Sequence, residues 1–216
     1  MRHLVIGTGG IGSAVAVAFE GEVVTLSRSG DGLDVTDEAS VKAAFERLDG
    51  TFDTIFCAVG ALAPNGHEPE KSVSAITAEA LAALHAVNCI GPAMVLKHSI
   101  RLLPKDRRAV FAALSARVGS IGDNAIGGWH SYRSSKAALN QIVHGAAIEL
   151  RRTHPQAICV ALHPGTVATP FTEKYAGRHR TVPPEDAARN LLAVLGDLTP
   201  ERSGGFYDYA GEEISW

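Results

Sequence analysis

The sequence predicts an α/β fold of the Rossmann type, a doubly wound parallel sheet of about seven strands in a single domain spanning 1–216. Three observations predict it. Short apolar runs alternate with helical patterns along the chain, and those runs are near-continuously apolar, as strands covered on both faces are. The first of them opens into the glycine-rich turn "GTGGIG" (7–12) ahead of a helix.

"HLVIG" (3–7) reads as the first strand, and the apolar spacing of "IGSAVAVAF" (11–19) suits a buried helix behind the glycines. "EVVTLS" (22–27) is a strand and "TDEASVKAAFERL" (36–48) a helix, with Thr36 and Asp37 as candidate caps. "DTIFCAVG" (53–60) is a buried strand; residues 76–103 are helical, with an adjustment near Gly91-Pro92 because proline brings no amide donor. "RAVFAALS" (108–115) is a strand, 131–153 a long helix halted before Pro155, and "AICVALHPG" (157–165) a further strand. Residues 183–195 form a helix entered through prolines, and "GGFYDY" (204–209) is the last strand. No internal repeat or linker composition interrupts this alternation.

Hydrophobic residues make up 46% and charged residues 20% of the chain, with net charge −3 and a pI near 6.3. No run of five or six like charges is present, so neither nucleic acid nor an anionic membrane is an expected partner. Cys57, Cys89 and Cys159 are odd in number and far apart, which fits a reducing cytoplasm better than a disulfide framework. The apolar stretch Leu4–Ile6 breaks into glycines too early for a secretory leader, and no apolar run reaches the roughly 18 residues that span a bilayer. The scattered histidines lack metal-ligand spacing, so no metal is expected.

Glycines between a strand and a helix let the backbone approach a pyrophosphate while helix N-terminal amides face its charge. Gly7, Gly9, Gly10, Ile11 and Gly12 are therefore candidate dinucleotide ligands, with a plain tight turn as the alternative. At the end of the second strand, where an NAD-preferring unit places an acid, stand Ser27 and Arg28. A guanidinium there suits a 2′-phosphate and favours NADP(H) over NAD(H); otherwise Arg28 is a solvated loop residue.

In "HSYRSSKAALN", Tyr132 and Lys136 lie one helical turn apart on one face. A phenol ionises near pH 10, and bringing that to about 7 requires roughly 4 kcal/mol. A cation about 4 Å away at an effective dielectric of 20 supplies about that much. The pair is a candidate acid/base couple, although such spacing also arises by chance on many helices.

In combination these motifs resemble the short-chain dehydrogenase/reductase family along nearly the whole chain, with "SGGFYDYAGEEISW" and "GSIGDNAIGGWHSYRSSKAALN" resembling its small C-factor-like branch. The resemblance implies that Gly7 to Gly12 bind the dinucleotide, that Asp34-Val35 contact adenine and that Ala58-Val59-Gly60 form the turn after a central strand. It also implies that Pro164, Gly165, Val167 and Thr169 close over nicotinamide. Hydride would pass between a nicotinamide and a small-molecule carbonyl or alcohol while Tyr132 exchanges the proton. Lys136 would lower the phenol's pKa and bind ribose, and Asn88 would hold a proton-relay water. A nucleotide-sensing or signalling protein with weak or no catalysis is the alternative.

Three departures stand out. The glycine turn is one residue short, and only five residues separate Arg28 from Asp34, so a helix usual in the family is lost. Ala116 stands where the resemblance puts the substrate-orienting serine, leaving Ser115, Ser120 or neither to replace it. The segment 170–182, with Lys174, Arg178, His179 and Arg180, is the expected substrate loop. Ala137, Ala138, Ala146 and Ala147 permit close helix approach, consistent with a homodimer or homotetramer or with packing on the sheet.

Overall fold

The computed structural model describes residues 1–170, 172 and 181–216. Most of the substrate-loop expectation, with Lys174, Arg178, His179 and Arg180, lies outside the described residues. The chain runs β1 (Arg2–Ile6), α1 (Gly10–Ala18), β2 (Glu22–Leu26), α2 (Arg28–Asp31), α3 (Glu38–Glu46), β3 (Thr54–Cys57), α4 (Ala78–His85), α5 (Gly91–Ser99), β4 (Ala109–Leu114), α6 (His130–Leu150), β5 (Ala157–His163), α7 (Pro184–Asp197) and β6 (Phe206–Asp208).

The strands form one parallel sheet in the order β2-β1-β3-β4-β5-β6. Side chains alternate across it with the period of two that a strand imposes. Leu4, Ile6, Ile55, Cys57, Phe111, Ala113, Cys159 and Ala161 pack on one face with α3, α5 and α6. Val5, Phe56, Val110, Ala112, Ile158 and Val160 pack on the other with residues of α1 and α7. Because β1 leads outward to β2 and the chain then crosses back to β3, the crevice at the carboxyl ends of β1 and β3 is the topological switch point, where ligands of open α/β sheets bind.

Six strands are present among the described residues, rather than about seven. The physical reason is chain length, because a parallel crossover needs about 10–12 residues or more. The five residues after Arg28 are too few. The first of them complete the single turn α2, Gly32 ends it, and the Leu33 amide returns to the Ser27 carbonyl.

Several boundaries tighten relative to expectation. β5 stops at His163, ahead of Pro164 and of Gly165 at φ 77°, and α6 ends at Leu150 in turns. The Asp37 carboxylate, not Thr36, caps α3 by accepting from the Ala39 amide. At Gly91-Pro92 the helix continues through a π turn, Ala86–Ile90, that joins α4 to α5. Contrary to expectation, this makes Ala78–Leu102 long and apolar enough to cross a bilayer by length and composition. Val95, Leu96 and Leu102 on this segment are buried in the core against the sheet, as in a core helix.

Candidate active site

The glycine turn closes on itself. Gly7 adopts φ 89°, and a Cβ on Gly12 would lie 1.8 Å from the Gly7 carbonyl oxygen, so only glycine lets α1 start this close to β1. Gly9 is the N-cap of α1, and a Cβ there would meet open space. A Cβ on Gly10 would meet Thr169 Cγ2 at 2.5 Å, so the segment after β5 reaches back over the turn. Within that segment Pro164 and Val167 are buried, Val167 bridges Val182, and Gly165 packs on Tyr209. Ala58 lies against Gly7, Val59 packs on the core, and Gly60 continues the same edge. Such a backbone cradle, beside a helix N-terminus, fits a dinucleotide pyrophosphate.

At the end of β2, Ser27 is buried and Arg28 is exposed. The Ser27 hydroxyl accepts from the Gly30 amide, and Asp31 Oδ2 accepts from the Ser27 amide at 2.8 Å. Sequence reading missed this carboxylate because α2 returns it to the strand end from four residues downstream. Asp34 is exposed and turned onto Thr36, whose hydroxyl and amide both donate to Oδ1; these bonds, joined by the Arg28 charge, hold its carboxyl below the usual range. Val35 packs where Gly91 leaves room.

The other side of the crevice is buried. Asn88, Ser115, Tyr132, Ser135, Lys136 and Asn140 are each no more than 6% exposed. Lys136 Nζ donates to the Leu114 carbonyl at 2.9 Å, and a Cβ on Gly60 would lie 3.3 Å from this ammonium and 3.5 Å from Asn88 Oδ1. One carbonyl acceptor for an ammonium with three donors leaves N–H groups for ribose hydroxyls. Asn88, in the π turn, accepts from the Ala61 amide and donates to the Ala61 carbonyl, both at 2.8 Å. Its amide also donates to Ser135 Oγ at 3.2 Å, and Ser135 donates to the Tyr132 carbonyl at 2.8 Å. The Asn88 side chain thus ties the β3 edge to the tyrosine-bearing helix.

Burial pushes the Tyr132 phenol above its ordinary value, the opposite direction from the lowering expected of Lys136. Burial pulls Lys136 down to about 8, partly opposed by the nearby Cys57 and Cys89, so the ammonium stays protonated at neutral pH. Burial also raises Cys57 to about 11, leaving it a thiol.

Ser115 donates its hydroxyl to Asn140 Oδ1 at 2.6 Å. A hydroxyl has one proton to donate, so this bond competes with donation to a substrate oxygen. Ser120 Oγ accepts from the Asp123 amide at 3.0 Å in its own loop. Ala116 joins Leu62, Leu84, Val118 and Trp129 in an apolar wall around Tyr132. Ser135, Asn140 and Glu70 are buried polar residues that sequence reading did not single out; the inward spacing of Ser135 and Asn140 at one turn from Tyr132 and Lys136 was the available signal.

Residues 32–202 match the family described as Enoyl-(Acyl carrier protein) reductase. Among curated proteins, the chain is 32% identical over 188 residues to 1-hydroxy-2-glutathionyl-2-methyl-3-butene dehydrogenase of Rhodococcus sp. (strain AD45), covering 86% of this chain and 79% of that protein. It is 36% identical over 137 residues to C-signal of Myxococcus xanthus, covering 63% of this chain and 78% of that protein. Among solved structures, carbonyl reductase Sniffer of D. melanogaster superposes with a TM-score of 0.84 at 21% identity, covering 100% of this chain and 99% of that one. With the glycine turn, the YxxxK pair and the parallel sheet in place, these matches establish that the chain belongs to the short-chain dehydrogenase/reductase family of oxidoreductases.

Proposed function

We propose that the chain reduces a small-molecule carbonyl, or oxidises the corresponding alcohol, using NADP(H) in preference to NAD(H), with Tyr132 exchanging the proton. The observation that carries this reading is the buried Lys136 ammonium, set beside Gly60 and Asn88 one turn from Tyr132, with donors left over from its bond to Leu114. When bound, the nicotinamide supplies or accepts the hydride. The turn Gly7–Gly12 would hold the pyrophosphate, Ser27 and Arg28 the 2′-phosphate, Asp34-Val35 the adenine, and Ala58–Gly60 with Pro164–Thr169 the remainder. Lys136 holds ribose and presents a positive charge to the phenol's side of the crevice.

A phenol raised by burial carries a proton at neutral pH for a carbonyl oxygen in the reductive direction, but gives it up less readily than an acid whose pKa lies near 7, so a neighbouring cation matters here too. In the oxidative direction a cation must stabilise the phenolate, and a charge about 4 Å away contributes roughly 4 kcal/mol at an effective dielectric of 20. Exposed Arg28 next to Ser27 supports the NADP preference. The buried free thiols suit a reducing cytoplasm, and partly exposed Ala137, Ala138 and Ala146 offer a face for a second copy.

A second reading, nucleotide sensing with weak chemistry, is favoured by Ala116 and by the commitment of the Ser115 hydroxyl to Asn140. Loss of one donor to a developing oxyanion costs about 3 kcal/mol or more in the barrier. The two readings separate by incubating the chain with NADPH deuterated at the nicotinamide C4 and a panel of aldehydes and ketones, whose alcohol products keep the transferred deuterium on carbon. Deuterium in the product alcohol of wild type, absent with Y132F, supports the enzyme. NADPH binding without deuterium transfer to any of them supports the sensor.

A further inference from the structure

We infer that Glu70, in the segment between β3 and α4, is a positioning residue for Tyr132. The inference rests on the reading of Tyr132 as the proton donor. Glu70 is a carboxylate only 6% exposed, and its partners converge on the entry to α6. Its Oε2 accepts from the Ser131 amide at 3.2 Å, its Oε1 accepts from the Ser131 hydroxyl, and its own carbonyl accepts from the Trp129 amide at 2.5 Å. No side chain of the N-cap residue Trp129 caps α6, so a carboxylate reaching across 61 positions of sequence satisfies donors that a local cap would otherwise take.

Two further features show that this entry is held in a conformation it would not choose alone. Trp129 sits at φ 52°, in the left-handed region that a bulky side chain rarely adopts. Gly128 before it has φ 67°, and a Cβ there would come within 3.3 Å of the Glu70 carbonyl oxygen. That conformation sets the Trp129 ring edge-on to Tyr132, with centroids 6.1 Å apart. Glu70, Ser131 and Tyr132 also line one small depression together with Leu62 and Leu84. Burial works to raise the Glu70 carboxyl, but the Ser131 hydroxyl and amide outweigh it and hold the group below the usual range, so it is ionised at neutral pH. Sequence reading could not find this residue, because "EPEKS" carries no periodicity and its partner lies in a distant element.

The test compares Glu70→Gln and Glu70→Ala with wild type and with Y132F in the full chain, using NADPH and the best carbonyl of the panel above. A second set carries Trp216→Phe, so that Trp129 is the sole tryptophan and its emission reports the entry to α6. In Glu70→Gln the expected result is a fall in kcat of about tenfold, larger in Glu70→Ala, with KM for both substrates and the dissociation constant of NADPH within about twofold. A shift in Trp129 emission should accompany it.

Wild-type kcat in a folded Glu70→Gln overturns the inference whatever the emission does. A fall in kcat with unchanged Trp129 emission overturns it as well, since the helix entry would not have moved. If Glu70→Gln does not fold, Ser131→Ala removes one donor, leaves the carboxylate, and is judged by the same criteria. An inactive Y132F with normal Glu70 variants removes only the role of Glu70, whereas a fully active Y132F, or an inactive wild type, removes the proposed function and this inference together.

Discussion

The two walls of the crevice are built differently. On the α6 side, Asn88, Ser115, Tyr132, Ser135, Lys136 and Asn140 are buried and joined by hydrogen bonds that link the β3 edge, the end of β4 and the long helix. On the β2 side, Arg28 and Asp34 are exposed, and their neighbours are bound mainly within one short turn. Buried groups hold each other's geometry, so changing one disturbs stability, and chemistry as well where the group faces the reacting atoms. Solvated groups act on a ligand nearly alone, so changing one alters affinity and little else.

The largest effect should come from Lys136→Met, which sharpens the comparison on the buried side. It is expected to lower kcat by about 10²–10⁴-fold. It should also change the pH dependence of stability. Because burial depresses the folded pKa of Lys136 to about 8, the unfolded chain binds more protons above that pH, and the stability lost by burying the ammonium is recovered as pH rises. The Tm difference between Lys136→Met and wild type should therefore shrink from pH 7.5 to pH 9; a constant difference would contradict the assignment.

Ser115→Ala comes next. It leaves Asn140 Oδ1 without its buried donor, which costs about 1–3 kcal/mol of stability by denaturant titration, while kcat stays within about twofold. A large fall in kcat with little loss of stability would instead return Ser115 to the substrate oxygen. On the solvated side, Arg28→Ala should weaken NADPH binding by about five- to tenfold and leave NADH binding and Tm unchanged. Equal loss for both dinucleotides would break the contrast between the walls. The smallest effect is expected of Asp31→Asn, which removes a negative charge beside the Ser27 amide and should tighten NADPH binding a few-fold at low salt.

What could be read in the sequence divides along the same line. The strands were legible because two-faced burial makes each of them a run such as "AICVAL", and the glycine turn and YxxxK pair were legible because their chemistry depends on short spacings. Among the positions taken from those motifs, Gly7 lies against Ala58, Gly10 meets Thr169, and Gly60 meets Lys136 and Asn88. Three things were not legible. The direction in which burial moves the Tyr132 phenol depends on how completely the pocket excludes water, which spacing does not encode. The competition for the Ser115 proton depends on an asparagine 25 positions away, and the capping of α6 on a glutamate 61 positions away. The strand count, six among the described residues against about seven expected, was legible to within one strand.

The most direct measurement is a single-turnover reduction by Y132F with enzyme in excess over NADPH, the NADPH dissociation constant being measured on the same sample. NADPH binding should stay within about twofold of wild type, and carbonyl reduction should slow by about 10²–10⁴-fold. Wild-type single-turnover rates in Y132F, with all of the NADPH enzyme-bound, would show that the proton comes from another group and would overturn the role of Tyr132.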